Sequence, residues 1–328
     1  MRGLFRDQPW LSTIFAALVA GVAVILIARA TGADAIGKAF EDVDPGWIAV
    51  VAGAELLTYP GYVLAYRAVA AIHGHAPLSL PMVSRIVVAG FGPFALGGGF
   101  AIDKRMLEAI HEDARSARVR VLALGTFEWA ILAPVTCVTA IVLLAEGANI
   151  LPSLLWPWAL AVPAGGALAL WASRPSRAES LAQKGGRRVR LLVEMLEGID
   201  GVRRMVTEDP VRKLGAWLGI TVYWAADMFA LWASLRTFGI QLGVGKLIIA
   251  YSTGYAATRR SLPLGGAGAT EVLMTYSLYW LRQPLAPALA AVLLYRTFNF
   301  FLIAIPAVIA HRQLSRVIDE SASSSRPA

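Results

Sequence analysis

Six stretches of this chain stay apolar for 20 residues or more: Leu11–Ala30, Gly46–Ala71, Val119–Ala145, Pro152–Ser173, Leu214–Phe238 and Ala286–Ala310. A helix rises about 1.5 Å per residue, so about 20 residues cross the ~30 Å hydrocarbon layer of a bilayer. Inside lipid every backbone N–H and C=O must find a partner within the protein, which helices of this length do. The chain therefore reads as an all-α, polytopic membrane protein. Charged residues make up 16% of it, against roughly 25% in soluble domains, and the mean hydropathy is +0.60. Arg2 and Arg6 precede the first stretch as they would in a signal peptide. That stretch is longer than a usual signal core and more spans follow, so it reads as an uncleaved anchor.

Two further apolar segments are broken by glycine and proline. Residues 81–102 carry Gly90, Gly92, Pro93 and Gly97-Gly98-Gly99; residues 246–283 carry Arg259, Arg260, Pro263 and Gly265-Gly266. Charge sets the topology. Residues 31–45 hold four acids against Lys38, whereas residues 174–213 hold ten Lys or Arg against six acids. The positive-inside rule then puts the 174–213 loop and both termini in the cytoplasm. Four spans before that loop and two after it satisfy the rule if the two broken segments do not cross, and either one crossing alone would break it. Both therefore read as re-entrant hairpins, with irregular backbone shielded by protein or facing a water-filled cavity. The segment Gly97 to Asp103 lines up with Gly265 to Glu271 as Gly-Gly-x-x-Ala-x-acid. Each half becomes span, span, hairpin, span, and the halves start on opposite sides. That is an inverted repeat, about 11–145 and 152–310, of the kind that builds midplane sites in secondary transporters. The whole reads as one transmembrane domain over 1–328, with a cytoplasmic loop at 174–213 and a disordered polar tail at 315–328.

The net charge of +8 suits cytoplasmic loops and anionic headgroups. No compact basic domain remains outside the spans, so no nucleic-acid partner is expected. The one cysteine, Cys137, excludes an intrachain disulfide and a cysteine-based zinc site. His73, His75, His111 and His311 have no metal-ligand spacing, so neither metal nor cofactor is expected. The chain holds no P-loop, Rossmann glycine pattern or serine nucleophile elbow, and it reads as a non-enzyme with no ATP-driven step of its own.

Ionisable residues at the bilayer centre are costly and mark function by default. Glu55, Glu128, Asp227 and Arg296 lie near the middle of spans; Asp103, Arg259, Arg260 and Glu271 flank the hairpin turns. Tyr59, Tyr223, Tyr255, Tyr295 and Asn299 would complete a polar cavity. The plain structural alternative is pairing within the bundle, Arg296 with Asp227 or Glu128. A helix starting just after Gly265-Gly266 or Gly97-Gly98 would aim its positive end at the cavity, a ready anion site. With three arginines nearby, the favoured ligand is anionic, and a lipid phosphate fits. The segment Arg187–Val206 has one apolar face, as in a helix lying in the cytoplasmic interface or packing under the bundle. Trp156, Trp158, Trp217 and Trp280 read as interfacial belts.

These residues also resemble a family. Ser261-Leu262-Pro263-Leu264-Gly265-Gly266-Ala267-Gly268-Ala269-Thr270-Glu271 is similar to the Pro-x-Gly-Gly-x-Gly-x-x-Glu motif of the lysylphosphatidylglycerol synthase transmembrane-region family. Leu294-Tyr295-Arg296 resembles its Tyr-Arg in the last span. Gly92-Pro93 to Leu107 resembles its first Pro…Gly-Gly element, and Phe127-Glu128 its Glu in the next span. The chain departs from the pattern in having no acid directly after Gly97-Gly98; Asp103 is the nearest. The resemblance runs from about residue 11 to 312. It implies a flippase-like domain moving lipids with polar heads between leaflets of a prokaryotic plasma membrane. With 328 residues there is no room for the soluble aminoacyltransferase domain of larger members, so lipid lysylation is not expected. Membrane lipids are the expected partners, with a separately encoded envelope-lipid enzyme as another. Two other functions remain open: a proton-coupled secondary transporter of a small solute, and a non-transporting partner of an envelope enzyme.

Overall fold

A computed structural model describes residues 9–41, 43–74, 76–92, 99–110, 113–208, 210–256 and 266–324. Among them no strand occurs. The first half runs α1 (Pro9–Thr31), α2 (Ala33–Ala39), α3 (Gly46–Val69), α4 (Leu80–Phe91), α5 (Gly99–Ala109) and α6 (Ala114–Ala145). The second runs α7 (Pro152–Ala172), α8 (Pro175–Ala182), α9 (Arg187–Thr207), α10 (Pro210–Thr237), α11 (Val244–Tyr251), α12 (Ala269–Trp280), α13 (Leu285–Arg296) and α14 (Ala304–Ser324). Five rods are long and apolar enough to cross a membrane: α3, α6, α7, residues 214–237 of α10, and the α13–α14 rod over 285–318. With α1, which is 23 residues long, they fall where the six apolar stretches predict.

One expectation fails at the C-terminus. Residues 315–324, read as disordered from their polar, serine-rich composition, continue α14 to Ser324. The reason is a residual apolar stripe: Leu314 is buried in the core, with Val317 and Ile318 packed against it.

The centre of the bundle is the crossing of α3 and α10. They run antiparallel. The Asp44 N–H donates to Thr237 O at one end, and Trp47 meets Trp232 edge-on at 5.2 Å. Further along, Gly61 meets Gly219. A Cβ added at Gly61 would lie 2.6 Å from Gly219 O, and one at Gly219 would lie 2.6 Å from Gly61 O. Only glycine on both sides lets the two backbones come this close. Pro60, inside α3, cannot donate to the carbonyl of Leu56 and loosens the helix beside the crossing.

Around this pair the two broken segments form arms. In the first, α4 packs on α5; in the second, α11 packs on α12. Each arm leans on the closing rod of the other half: α4 on α14, and α11 on α6. The 174–213 region is not a plain loop. Its helix α9 packs on α6, α7 and α8 through Val193, Leu196, Val202 and Met205, all buried. Leu191, Leu192 and Met195 stay exposed on its other side. Trp158 and Trp217 are more than belt residues: Trp158 Nε1 donates to Thr253 Oγ1 at 3.1 Å, and Trp217 packs on Phe127 at 4.5 Å.

Candidate functional site

At its C-terminal end α13 passes into a π-helical turn, Thr297–Leu302. Such wide turns are rare and recur at functional sites. Arg296 and Asn299, three residues apart, share the face turned to the core. The Asn299 amide sits between two carboxylates from the crossing helices. Its Nδ2 donates to Asp227 Oδ1 of α10 at 2.8 Å and to both oxygens of Glu55 of α3 at 3.1 and 3.2 Å. Asp227 also accepts from Tyr295 OH at 2.9 Å and, on its other oxygen, from Tyr251 OH of α11 at 2.6 Å. Arg296 Nε donates to Glu271 Oε1 of α12 at 2.8 Å, and its Nη1 to Asn299 Oδ1 at 3.3 Å. The guanidinium lies over the Phe300 ring, 4.3 Å from its centre.

Glu55, Asp227, Glu271, Arg296 and Asn299 are all buried, none more than 4% exposed. A buried polar group is tolerated when it is hydrogen-bonded, and each of these five side chains has such a partner in the network. Five elements meet at the network, because α3, α10, α11, α12 and α13 each supply a group to it.

The start of α12 differs from the expectation of an open anion site. Gly266 and Gly268 have φ of +72° and +83°, a turn that suits glycine, and the helix begins at Ala269. The Gly268 N–H donates to Glu271 Oε2 at 2.7 Å. Glu271 therefore caps its own helix with one oxygen and binds Arg296 with the other.

A second polar locus lies on α6. Tyr62 OH of α3 donates to Glu128 Oε1, and Trp224 Nε1 of α10 donates to Glu128 O at 2.9 Å. Trp224 also packs edge-on against Tyr251, 5.9 Å between ring centres, so aromatic rings join the two loci. Asp103 is fully buried in α5. Arg296 follows Glu271 by 25 residues, and Glu128 follows Asp103 by the same interval. Each half thus places an acid in the second helix of its broken arm and an ionisable residue in the following rod.

The structure brings Glu55, Asp227, Glu271, Tyr295, Arg296 and Asn299 into one network. The expected pairing of Arg296 with Asp227 or Glu128 is not what forms: Arg296 takes Glu271, while Asp227 is held by two phenols and an amide. Arg259, Arg260 and Gly265 lie outside the described residues. Tyr62 and Tyr251 were missed as site residues. The available signal for Tyr62 is its place seven residues after Glu55, two turns along the same helix face; Tyr251 offers only a phenol deep in an apolar run.

No curated protein matches the chain. A family model does, over residues 13–307, nearly the full set of helices from α1 into α14. Its description is the lysylphosphatidylglycerol synthase TM region, and the chain belongs to that family.

Proposed function

We propose that this protein carries lipids with anionic or phosphate-bearing headgroups between the two leaflets, with the headgroup passing through the buried polar network. The observation that carries the reading is the meeting of Glu55, Asp227, Glu271, Arg296 and Asn299 where α3, α10, both helices of the second broken arm and the last rod converge. A sealed bundle of lipid-facing helices has no use for five such groups at one point. The crosswise packing of α4 on α14 and α11 on α6 supports an inverted repeat, and the broken arms support re-entrant hairpins. In such repeats the site lies between the halves near the midplane.

In this reading Arg296, oriented by Glu271, attracts the phosphate together with Arg259 and Arg260. Those two lie in the segment joining the π-helical turn Ser252–Ala256 to Gly266. Asp227, Glu55 and Glu128 balance that charge or receive an amine on the headgroup. The protein would sit in a prokaryotic plasma membrane with both termini cytoplasmic, beside a separately encoded enzyme that makes its lipid. The test is proteoliposomes holding a fluorescent phosphatidylglycerol, bleached from outside by dithionite. Wild type should expose the inner-leaflet probe and Asp227→Asn should leave it protected. Protection equal to protein-free vesicles for the wild type would sink the translocase reading.

A proton-coupled solute transporter is the second reading, favoured by one amide, Asn299 Nδ2, being shared between two carboxylates. It predicts solute uptake driven by a pH gradient and no lipid movement.

A further inference from the structure

Helix α9 lies across the ends of three spans. Gly201 sits against Ile72 and His73 just past α3. Gly198 sits against Val119 and Ala123 near the start of α6; a Cβ there would lie 2.9 Å from Ala123 N. A cleft of about 520 Å³ beneath α9 reaches Ser173 at the end of α7. The end of α3, the start of α6 and the end of α7 mark one face of the bundle, so α9 lies at the membrane boundary on that face.

Between α9 and the first turns of α6 is a second cleft, about 530 Å³, lined by Arg115, Arg118, Arg187, Arg190, Leu191 and Glu194. Its charges are unevenly committed. Arg118 binds both oxygens of Glu194, at 2.8 and 2.7 Å, and Arg115 pairs with Glu197. Arg187 and Arg190 make no hydrogen bond or ion pair among the described residues, and Glu194, the one acid in the lining, is already taken. Beside these guanidiniums Leu191, Leu192 and Met195 are 48%, 39% and 40% exposed.

We propose that this cleft binds the phosphate headgroup of an anionic phospholipid from the leaflet on that side, with an acyl chain lying along Leu191, Leu192 and Met195. Guanidinium matches a phosphate with two parallel hydrogen bonds, and a basic helix with an apolar outer strip is the pattern of an interfacial lipid contact. An acidic peptide would satisfy the arginines but leave the apolar strip in water; a lipid satisfies both. The site is separate from the buried network and does not rest on the translocase reading.

The experiment uses the full chain in phosphatidylcholine nanodiscs. A minor share of lipid carries a diazirine in its acyl chain, either phosphatidylglycerol or, in parallel, phosphatidylcholine. After illumination, labelled peptides are mapped by mass spectrometry. Residues 187–196 should take up about tenfold more phosphatidylglycerol label than phosphatidylcholine label. The Arg187→Gln/Arg190→Gln double variant should bring the two to the same level, with labelling of α7 unchanged as the sign of an intact fold. Equal labelling of wild-type α9 by both lipids, or a preference that survives in the double variant, would overturn the site. The wild-type comparison decides the matter even if the variant fails to fold.

Discussion

Arg296 and Glu271 form an ion pair sealed from solvent: Arg296 Nε lies 2.8 Å from Glu271 Oε1, with side-chain exposures of 1% and 0%. The pair ties the second helix of a broken arm to the last membrane rod. Because Glu271 also caps its own helix, one carboxylate fixes both where α12 starts and what it holds.

Breaking that pair from one side leaves a buried group without its ionic partner. Arg296→Ala and Glu271→Ala should each destabilise the protein by about 3–5 kcal/mol. Replacing both partners by apolar residues, Arg296→Met with Glu271→Leu, should recover much of that loss without restoring lipid movement. Melting in detergent beside the dithionite assay checks both halves of the expectation. A double variant that moves lipid would make the pair a scaffold only.

Asp227 is the acceptor for Tyr251, Tyr295 and Asn299. Asp227→Asn keeps the shape but weakens the acceptor and adds an amide donor, so stability should fall by about 1–3 kcal/mol. If the network is the lipid path, the flipping rate should drop further than the melting temperature explains. Tyr251→Phe, which removes one donor alone, should fall between wild type and Asp227→Asn in both assays.

The Gly61–Gly219 crossing is set by backbone contact. Gly61→Ala would place a methyl carbon 2.6 Å from Gly219 O, and neither backbone can yield as a flexible side chain would. Overpacking of this kind costs about 1–3 kcal/mol. Gly215→Ala, where an added Cβ meets nothing within 4 Å, is the matched control on the same helix and should leave melting unchanged.

The contact between α9 and α6 should depend on pH. Arg118's bidentate hydrogen bonds hold the Glu194 carboxyl below its ordinary range. At the start of α6 the Ser116 and Arg115 N–H groups do the same for Asp113, with Ser116 the larger influence. Both groups are lowered on folding, so their contribution is complete above the ordinary carboxylate range and is lost as pH falls through the folded values. Amide protection across α9 should therefore fall, relative to α10, only in strongly acidic buffer, below the ordinary carboxylate range, and stay constant in mildly acidic buffer. Glu194→Gln should remove most of that acid dependence, and an unchanged pH profile in the variant would show that the ion pair is not its source.

Much of the fold is written in local patterns. Runs of apolar residues gave the six rods, and Gly/Pro breaks gave the two arms, because both depend on neighbours a few residues away. The pairing inside the network was harder to read. Glu55 and Asn299 are 244 residues apart, and nothing near Arg296 in the chain tells it to take Glu271 rather than Asp227. Tyr62 and Tyr251 escaped notice because a phenol is unremarkable in an apolar helix until a carboxylate is placed against it. The tail 315–324 was misread since its polar composition hid the spacing of Leu314, Val317 and Ile318.

The separation between Glu55 and Asn299 also sets an order of events during synthesis. At about 5–20 residues per second, Glu55 leaves the ribosome roughly 12–50 s before the amide that will bind it. During that interval α3 carries a carboxylate into the membrane with its final partner not yet made. Until the last rod arrives, the Asn299 hydrogen bonds to Glu55 cannot form. Assembly of the network is thus the closing step of biogenesis, and a chain truncated before α13 would lack the amide that hydrogen-bonds Glu55 in the finished fold.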